Sequence, residues 1–230
     1  MITMFTSVGK YEIEYTKDGG RQPIIISGNQ RYEVCIEEFI LWSSLIWNIF
    51  TRDELEKIYD KKIATAHVFD DRDFEHYLKR LQVRGLIVSG TDYSAIDALY
   101  QLTQNLFICP IKTNLLLKVK SFVHLTFIKK VPFAITKKIF KEDKLSKDEL
   151  VVMSLVKQNL ISTSELIKCV EIGVDNISND DILVDKLYDD ELTTCDNIGI
   201  FSRFLKSQQP VLDAAIRLYL KKLIIFEANI

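Results

Sequence analysis

The side chains that could do chemistry in this chain are cations and carboxylates, with few nucleophiles among them. His67, His76 and His124 stand far apart and form no H-E-x-x-H pair, and Cys35, Cys109, Cys169 and Cys195 form no C-x-x-C pair. Metal ligand sets need closer spacing, so no metal site is expected. There is no G-x-S-x-G elbow, phosphate-cradling glycine loop or dinucleotide fingerprint, which predicts a non-enzymatic protein with no catalytic residues and no cofactor. Asp180, Asp181, Asp185, Asp189, Asp190 and Glu191 form an acidic cluster. It lacks the glycine and closing bidentate glutamate of a calcium loop and reads as a solvated face. The scattered cysteines read as reduced thiols of a cytoplasmic protein.

Phosphate neutralisation is the chemistry left for the cations. Arg72, Lys79, Arg80 and Arg84 cluster at one helical pattern, and Gln208, Gln209 and Arg217 at another. Lys118 with Lys120, Lys129 with Lys130, and Lys137 with Lys138 recur at intervals that could follow a duplex backbone or face an acidic protein. Asp70, Asp71 and Asp73 oppose this at the start of the first pattern, where they suit a helix dipole and repel phosphate. The aromatics among the lysines (Phe122, Phe127, Phe133, Phe140) read as core rather than as a base-stacking platform.

Bulk charge predicts no affinity for nucleic acid, since the net value is only −2. Its distribution is uneven. Residues 91–145 carry nine lysines against four carboxylates, an excess of +5, between an amino-terminal part at −2 (12 cations, 14 carboxylates) and a carboxy-terminal part at −5 (9 cations, 14 carboxylates). With 230 residues, 47% of them hydrophobic and 27% charged, the chain can bury a sizeable core, and 8 Gly and 4 Pro argue against collagen-like or low-complexity classes. The most apolar run, Phe39 to Phe50, is too short and too polar to span a bilayer and reads as a buried core helix, and the first ten residues carry no secretory signal pattern.

The elements that would position these side chains occur twice. Shifted by 111 positions without a gap, Glu37–Lys57 meets Asp148–Lys168 with Glu38, Ser43, Asn48, Glu54, Leu55 and Lys57 identical to Glu149, Ser154, Asn159, Glu165, Leu166 and Lys168. Thr51-x-x-Glu54 and Ser162-x-x-Glu165 both fit a capping box, so each copy reads as an apolar helix, a corner and a capped helix. At an offset of 137, Arg80, Leu81, Leu86 and Ile87 meet Arg217, Leu218, Leu223 and Ile224. Phe74–Leu81 has one-faced helical spacing, Gly85 stands as a C-cap, and Leu86–Val88 continues as a strand. The second copy runs from Pro210 through Leu220 into Leu223–Phe226, with Lys222 where the first has Gly85. The 26-residue difference between the offsets is an insertion that includes a helical pattern at Asn179–Glu191.

Ahead of the first copy, Tyr11–Tyr15 alternates as a half-buried strand, Lys17–Gly20 supplies a turn, and Ile24–Ile26 and Tyr32–Ile36 read as two more strands around Gly28-Asn29. Between the copies, Ser94–Asn105 and Asn114–Phe127 read as helices, with Phe107–Cys109 extended between them.

Thr51–Glu56 and Leu81-Gln82-Val83-Arg84-Gly85-Leu86-Ile87-Val88, with the helices around them, resemble a winged helix-turn-helix, over residues 36–90 and again over 147–227. That resemblance implies a mostly helical α+β fold. Two winged-helix-like units (1–90 and 146–230) would be joined by a basic, mainly helical connector (91–145), with a small antiparallel sheet at the amino terminus. It implies a regulator that binds double-stranded DNA, with Arg72, Lys79, Arg80, Arg84, Gln208, Gln209, Arg217 and the connector lysines as contacts. Acidic tandem winged-helix proteins that assemble on chromosome-organising machines have a similar layout, which implies instead a protein–protein adaptor. Three strands followed by three helices also resemble the small peptide-recognition domains of peptide-modification pathways, which capture a leader peptide as an added strand, here around Tyr32–Ile36. No membrane partner is expected.

Overall fold

Capping side chains set where the paired helices start. In the computed structural model, which describes residues 1–15, 19–68, 72–111, 144–189 and 192–228, the Thr51 amide donates to Glu54 Oε2 at 2.9 Å and opens α2 (Arg52–Ala66). In the second copy the Ser162 amide donates to Glu165 Oε2 at 2.7 Å and the Glu165 amide returns to Ser162 Oγ at 3.2 Å, opening α6 (Thr163–Glu171). The preceding helices, α1 (Ile36–Leu45) and α5 (Lys147–Val156), use the same device through Cys35 with Glu38 and Ser146 with Glu149, again 111 residues apart. The third helices are α3 (Phe74–Val83), capped by Asp73, and α9 (Gln208–Leu220). The rest are α4 (Ala95–Thr103), α7 (Asp180–Leu187, capped by Asn179) and the short α8 (Ile198–Ser202).

Strand register repeats with the helices. A three-stranded antiparallel sheet has the order β5 (Phe50–Thr51), β1 (Ile2–Ser7), β6 (Ile87–Asp92), and Met4 faces Thr51 on one side and Gly90 on the other. In the second copy β7 (Phe107–Pro110) pairs with β8 (Ile224–Glu227), and Phe107 faces Ser162 through a single bridge and Glu227 through the ladder. Thr51 and Ser162 differ by 111 and Gly90 and Glu227 by 137, so the strands follow both sequence offsets. A second sheet lies between β1 and α1, in the order β2 (Lys10–Tyr15), β3 (Arg21–Ser27), β4 (Gln30–Glu33). The chain is thus mixed α/β, with helices around small antiparallel sheets.

Several expectations need correction. The amino-terminal strand β1 was not anticipated, although it is the middle strand of its sheet. The expected strand Tyr32–Ile36 stops at Glu33, because Cys35 and Ile36 already belong to the start of α1. The apolar run Phe39–Phe50 is not one helix: α1 ends at Leu45, Trp47 turns the chain in the left-handed region (φ 54°), and Phe50 enters β5. Within the expected connector α4 and β7 are formed, β7 pairing with β8 of the second copy, and residues 112–143 lie outside the described residues. The helix expected over 114–127 lies outside the described residues.

Two apolar clusters form the core. One gathers Phe5, Leu41, Trp42, Leu45, Leu55, Tyr77 and Leu81 from the first copy, with Ile25 from β3. The other gathers Val152, Leu166, Leu187, Leu212, Leu218 and Phe226, and draws in Val8, Tyr100 and Ile108 from earlier in the chain. Tyr219 joins the clusters: its hydroxyl donates to Leu45 O at 3.0 Å, accepts from the Trp47 amide at 3.0 Å and lies 2.9 Å from Thr6 Oγ1. Arg203 adds an ionic link, reaching Asp92 and Asp97, each at 2.9 Å.

Candidate functional site

Each copy buries one glutamate under its third helix. Glu38, 1% exposed, accepts from the Cys35 amide at 3.1 Å as part of the α1 cap. Arg80 Nε at 2.9 Å and an Arg84 guanidinium nitrogen at 3.3 Å converge on the same carboxylate. Arg84 also donates to Glu33 O at 2.7 Å and lies over the Tyr32 ring at 5.4 Å. In the second copy Glu149, also 1% exposed, accepts from the Ser146 amide at 2.6 Å and from Lys221 Nζ at 2.8 Å. Burial alone would raise the Glu149 pKa, but the Lys221 and Ser146 hydrogen bonds outweigh it and hold the carboxyl below its ordinary range. Lys221 stands 137 positions after Arg84, so the cation changes type while its place is kept. These cations tie the end of the third helix to the first helix of the same copy.

Of the other residues expected to contact DNA, Lys79 lies with Arg80 and Arg84, lining with His76 and Val83 a shallow cleft of about 350 Å³ on the outer side of α3. The rest are dispersed. Arg72 lines a hollow of about 750 Å³ among Glu37, Glu56, Asp60 and Asp73. On α9, Gln208 is buried, Gln209 is exposed, and the exposed Arg217 pairs with Asp213 at 3.7 Å. Lys118, Lys120, Lys129, Lys130, Lys137 and Lys138 lie outside the described residues, as do Asp70 and Asp71. Among the described residues no group of His, Cys, Asp and Glu could hold a metal ion, and no helix is long and apolar enough to cross a membrane.

The residues that composition and spacing passed over lie on the second sheet. All six residues of β2 are exposed, against the half-buried strand expected. Tyr11, Ile13 and Tyr15 project on one face. Tyr11 meets Phe39 edge-on at 5.4 Å and Trp42 at 6.2 Å, while Tyr15 takes Arg21 over its ring at 5.6 Å. Glu12 and Glu14 project on the other face, where Arg31 of β4 bridges them. Among the described residues β2 pairs only with β3, so its outer edge is free. Alternation announced two faces, but a single strand cannot tell whether a neighbour covers either of them.

Compared with known proteins, the chain matches no family model, no curated protein and no solved structure.

Geometry therefore carries the functional reading. A sheet with an uncovered edge offers unpaired amides and carbonyls, which an extended segment of another protein can complete as an additional strand. Against this, the third helices offer few uncommitted cations for a phosphate backbone.

Proposed function

We propose that this chain is a non-enzymatic adaptor of two winged-helix-like units, about residues 1–90 and 146–230, joined through residues 91–145. It captures an extended segment of a partner protein on the edge of its amino-terminal sheet. The observation that carries this reading is the open edge of β2, with Tyr11, Ile13 and Tyr15 exposed beside it. The winged-helix reading is supported by the twice-repeated order of helix, short strand contact, capped helix, third helix and strand, in one register. No hairpin wing follows β6, which leads instead into α4 through the Ser94 cap; β1, ahead of the three helices, completes the sheet.

Binding to double-stranded DNA is the second reading, favoured by the exposed His76 and Lys79 on α3. It is weakened by the engagement of Arg80 and Arg84 with Glu38 and by the placement of Tyr219 of α9 against the end of α1. Anisotropy with a labelled DNA duplex at two salt concentrations separates the readings, because phosphate neutralisation releases counterions and gives a steep salt slope. The adaptor reading expects no salt-sensitive binding. Duplex binding that falls with salt and is lost in Lys79→Ala overturns it in favour of DNA.

A further inference from the structure

We propose that the outer edge of β2 selects an extended segment in which basic residues alternate with apolar ones. The cations would face Glu12 and Glu14, and the apolar side chains would continue the row Tyr11, Ile13, Tyr15. This rests on the edge-capture reading above and adds the chemistry of the segment captured.

The backbone directions follow from the register. β3 and β4 are joined by the two-residue turn Gly28-Asn29, with Ser27 opposite Gln30 and Ile25 opposite Tyr32. In an antiparallel ladder alternate residues bond to opposite neighbours, so Ser27 and Ile25 serve β4 while Ile26, Ile24 and Gln22 serve β2. Their partners on β2 are Lys10, Glu12 and Glu14. The amides and carbonyls of Tyr11, Ile13 and Tyr15 therefore point away from β3, and among the described residues no strand meets them.

Charge then decides what the edge accepts. On the face of Glu12 and Glu14 lies a third carboxylate, Glu33, opposite Ile24 and bonded by Gln22 at 3.2 Å. Arg31 is the cation set among them, 3.6 Å from Glu12 and bonded to Glu14. Three carboxylates against one guanidinium leave the stretch from Glu12 to Glu14 acidic beside the open edge. Lys10 shares this face at the near end of the strand, opposite Ile26, so counting it three carboxylates still stand against two cations. The opposite face is apolar, with Ile13 50% and Tyr15 73% exposed. A second copy of the chain is a poor occupant, since antiparallel pairing of β2 with itself about Ile13 sets Glu12 against Glu14, and like charges directly opposite destabilise a pair. The same carboxylates that resist self-pairing favour a strand carrying Lys or Arg at alternate positions.

The test uses the full chain and three labelled synthetic peptides of about eight residues, a common strand length. One alternates Lys with Val, one replaces each Lys by Glu, and one keeps the lysines but has a central Pro. By anisotropy the first should bind about tenfold more tightly than either of the others, a ratio well within reach of paired charges and ladder bonds. Glu12→Gln with Glu14→Gln should remove most of the preference for the basic peptide. Ile13→Pro should abolish binding while the sheet persists, because the lost amide points outward and proline is tolerated at strand edges; far-ultraviolet circular dichroism checks that the fold is kept. Equal binding of the basic and acidic peptides, lost in Ile13→Pro, overturns the charge rule and leaves edge capture standing. Binding indifferent to proline in either molecule, or no binding by any peptide, overturns edge capture as well.

Discussion

At the scale of single residues, the buried Glu149 is the clearest case of one group whose environment sets its contribution. Removing Lys221 leaves a carboxylate with 2% side-chain exposure whose remaining hydrogen-bond donor is the Ser146 amide of its cap. Uncompensated buried charge is costly, so Lys221→Ala should destabilise the protein by about 2–4 kcal/mol in urea, whereas Glu149→Gln, which frees a partly exposed lysine to rehydrate, should cost less. The double variant should fall short of the sum of the two. Because the folded Glu149 pKa is lowered, its stabilisation is present above the ordinary glutamate value of 4.5 and is lost as pH falls through the depressed value. Glu227 behaves oppositely. Burial raises its pKa, against the Gly28 and Ser27 hydrogen bonds and the Lys10 charge that lower it. Its contribution is therefore fullest below 4.5 and is lost as pH rises through the raised value. Glu227→Gln keeps an acceptor for the Gly28 amide and should stabilise the protein at neutral pH by about 1 kcal/mol, with no gain in acid, as read by melting temperature against pH.

At the scale of elements, two glycines show what the repeat demands of its backbone. A Cβ on Gly90 would stand 2.2 Å from Ala98 O and 2.3 Å from the Leu102 amide nitrogen, so α4 packs directly on β6 there. Backbone on both sides cannot yield as a side chain would, and Gly90→Ala should cost about 3 kcal/mol or more in chemical denaturation. Gly85 ends α3 with φ 69°, and its counterpart Lys222 ends α9 with φ 62°. Lysine bears a left-handed conformation at a cost of about 1–2 kcal/mol, part of which its ammonium recovers 5.3 Å from the Trp47 ring centre. The helix starts were legible in the sequence because hydroxyl-x-x-carboxylate spacing states a local hydrogen-bond demand. β1 was not, because Ile2–Ser7 has meaning only beside Thr51 and Gly90, far along the chain.

At the scale of the whole molecule, the two copies meet by unlike surfaces. Tyr219 of the second reaches Leu45, Trp47 and Thr6 of the first, whereas the residue at its place in the first copy is Gln82, which bonds to Ser89 within that copy. Such a head-to-tail contact couples the cores, so urea unfolding followed by tryptophan fluorescence, which reports the first core through Trp42 and the junction through Trp47, should coincide with unfolding followed by circular dichroism. Tyr219→Phe leaves the Trp47 amide without its acceptor and should cost about 1–3 kcal/mol. Separation of the two transitions in that variant would be the expected sign of weakened coupling, and separation already in the native protein would contradict it.

What the sequence determined by itself is local or periodic: the two capping boxes, the buried faces of the third helices, Gly85 as a stop, and a repeat visible at offsets of 111 and 137. Each depends on neighbours within a few turns of chain, or on comparison of the chain with itself. The partners of the charged side chains were decided only by tertiary structure. Arg80 and Arg84 read from the sequence as phosphate ligands, and only folding sets Glu38, more than forty residues away, under them. Tyr11–Tyr15 looked half-buried until the sheet order left it at an edge. A charge or an apolar face is visible in a sequence, but what stands opposite it is a property of the fold.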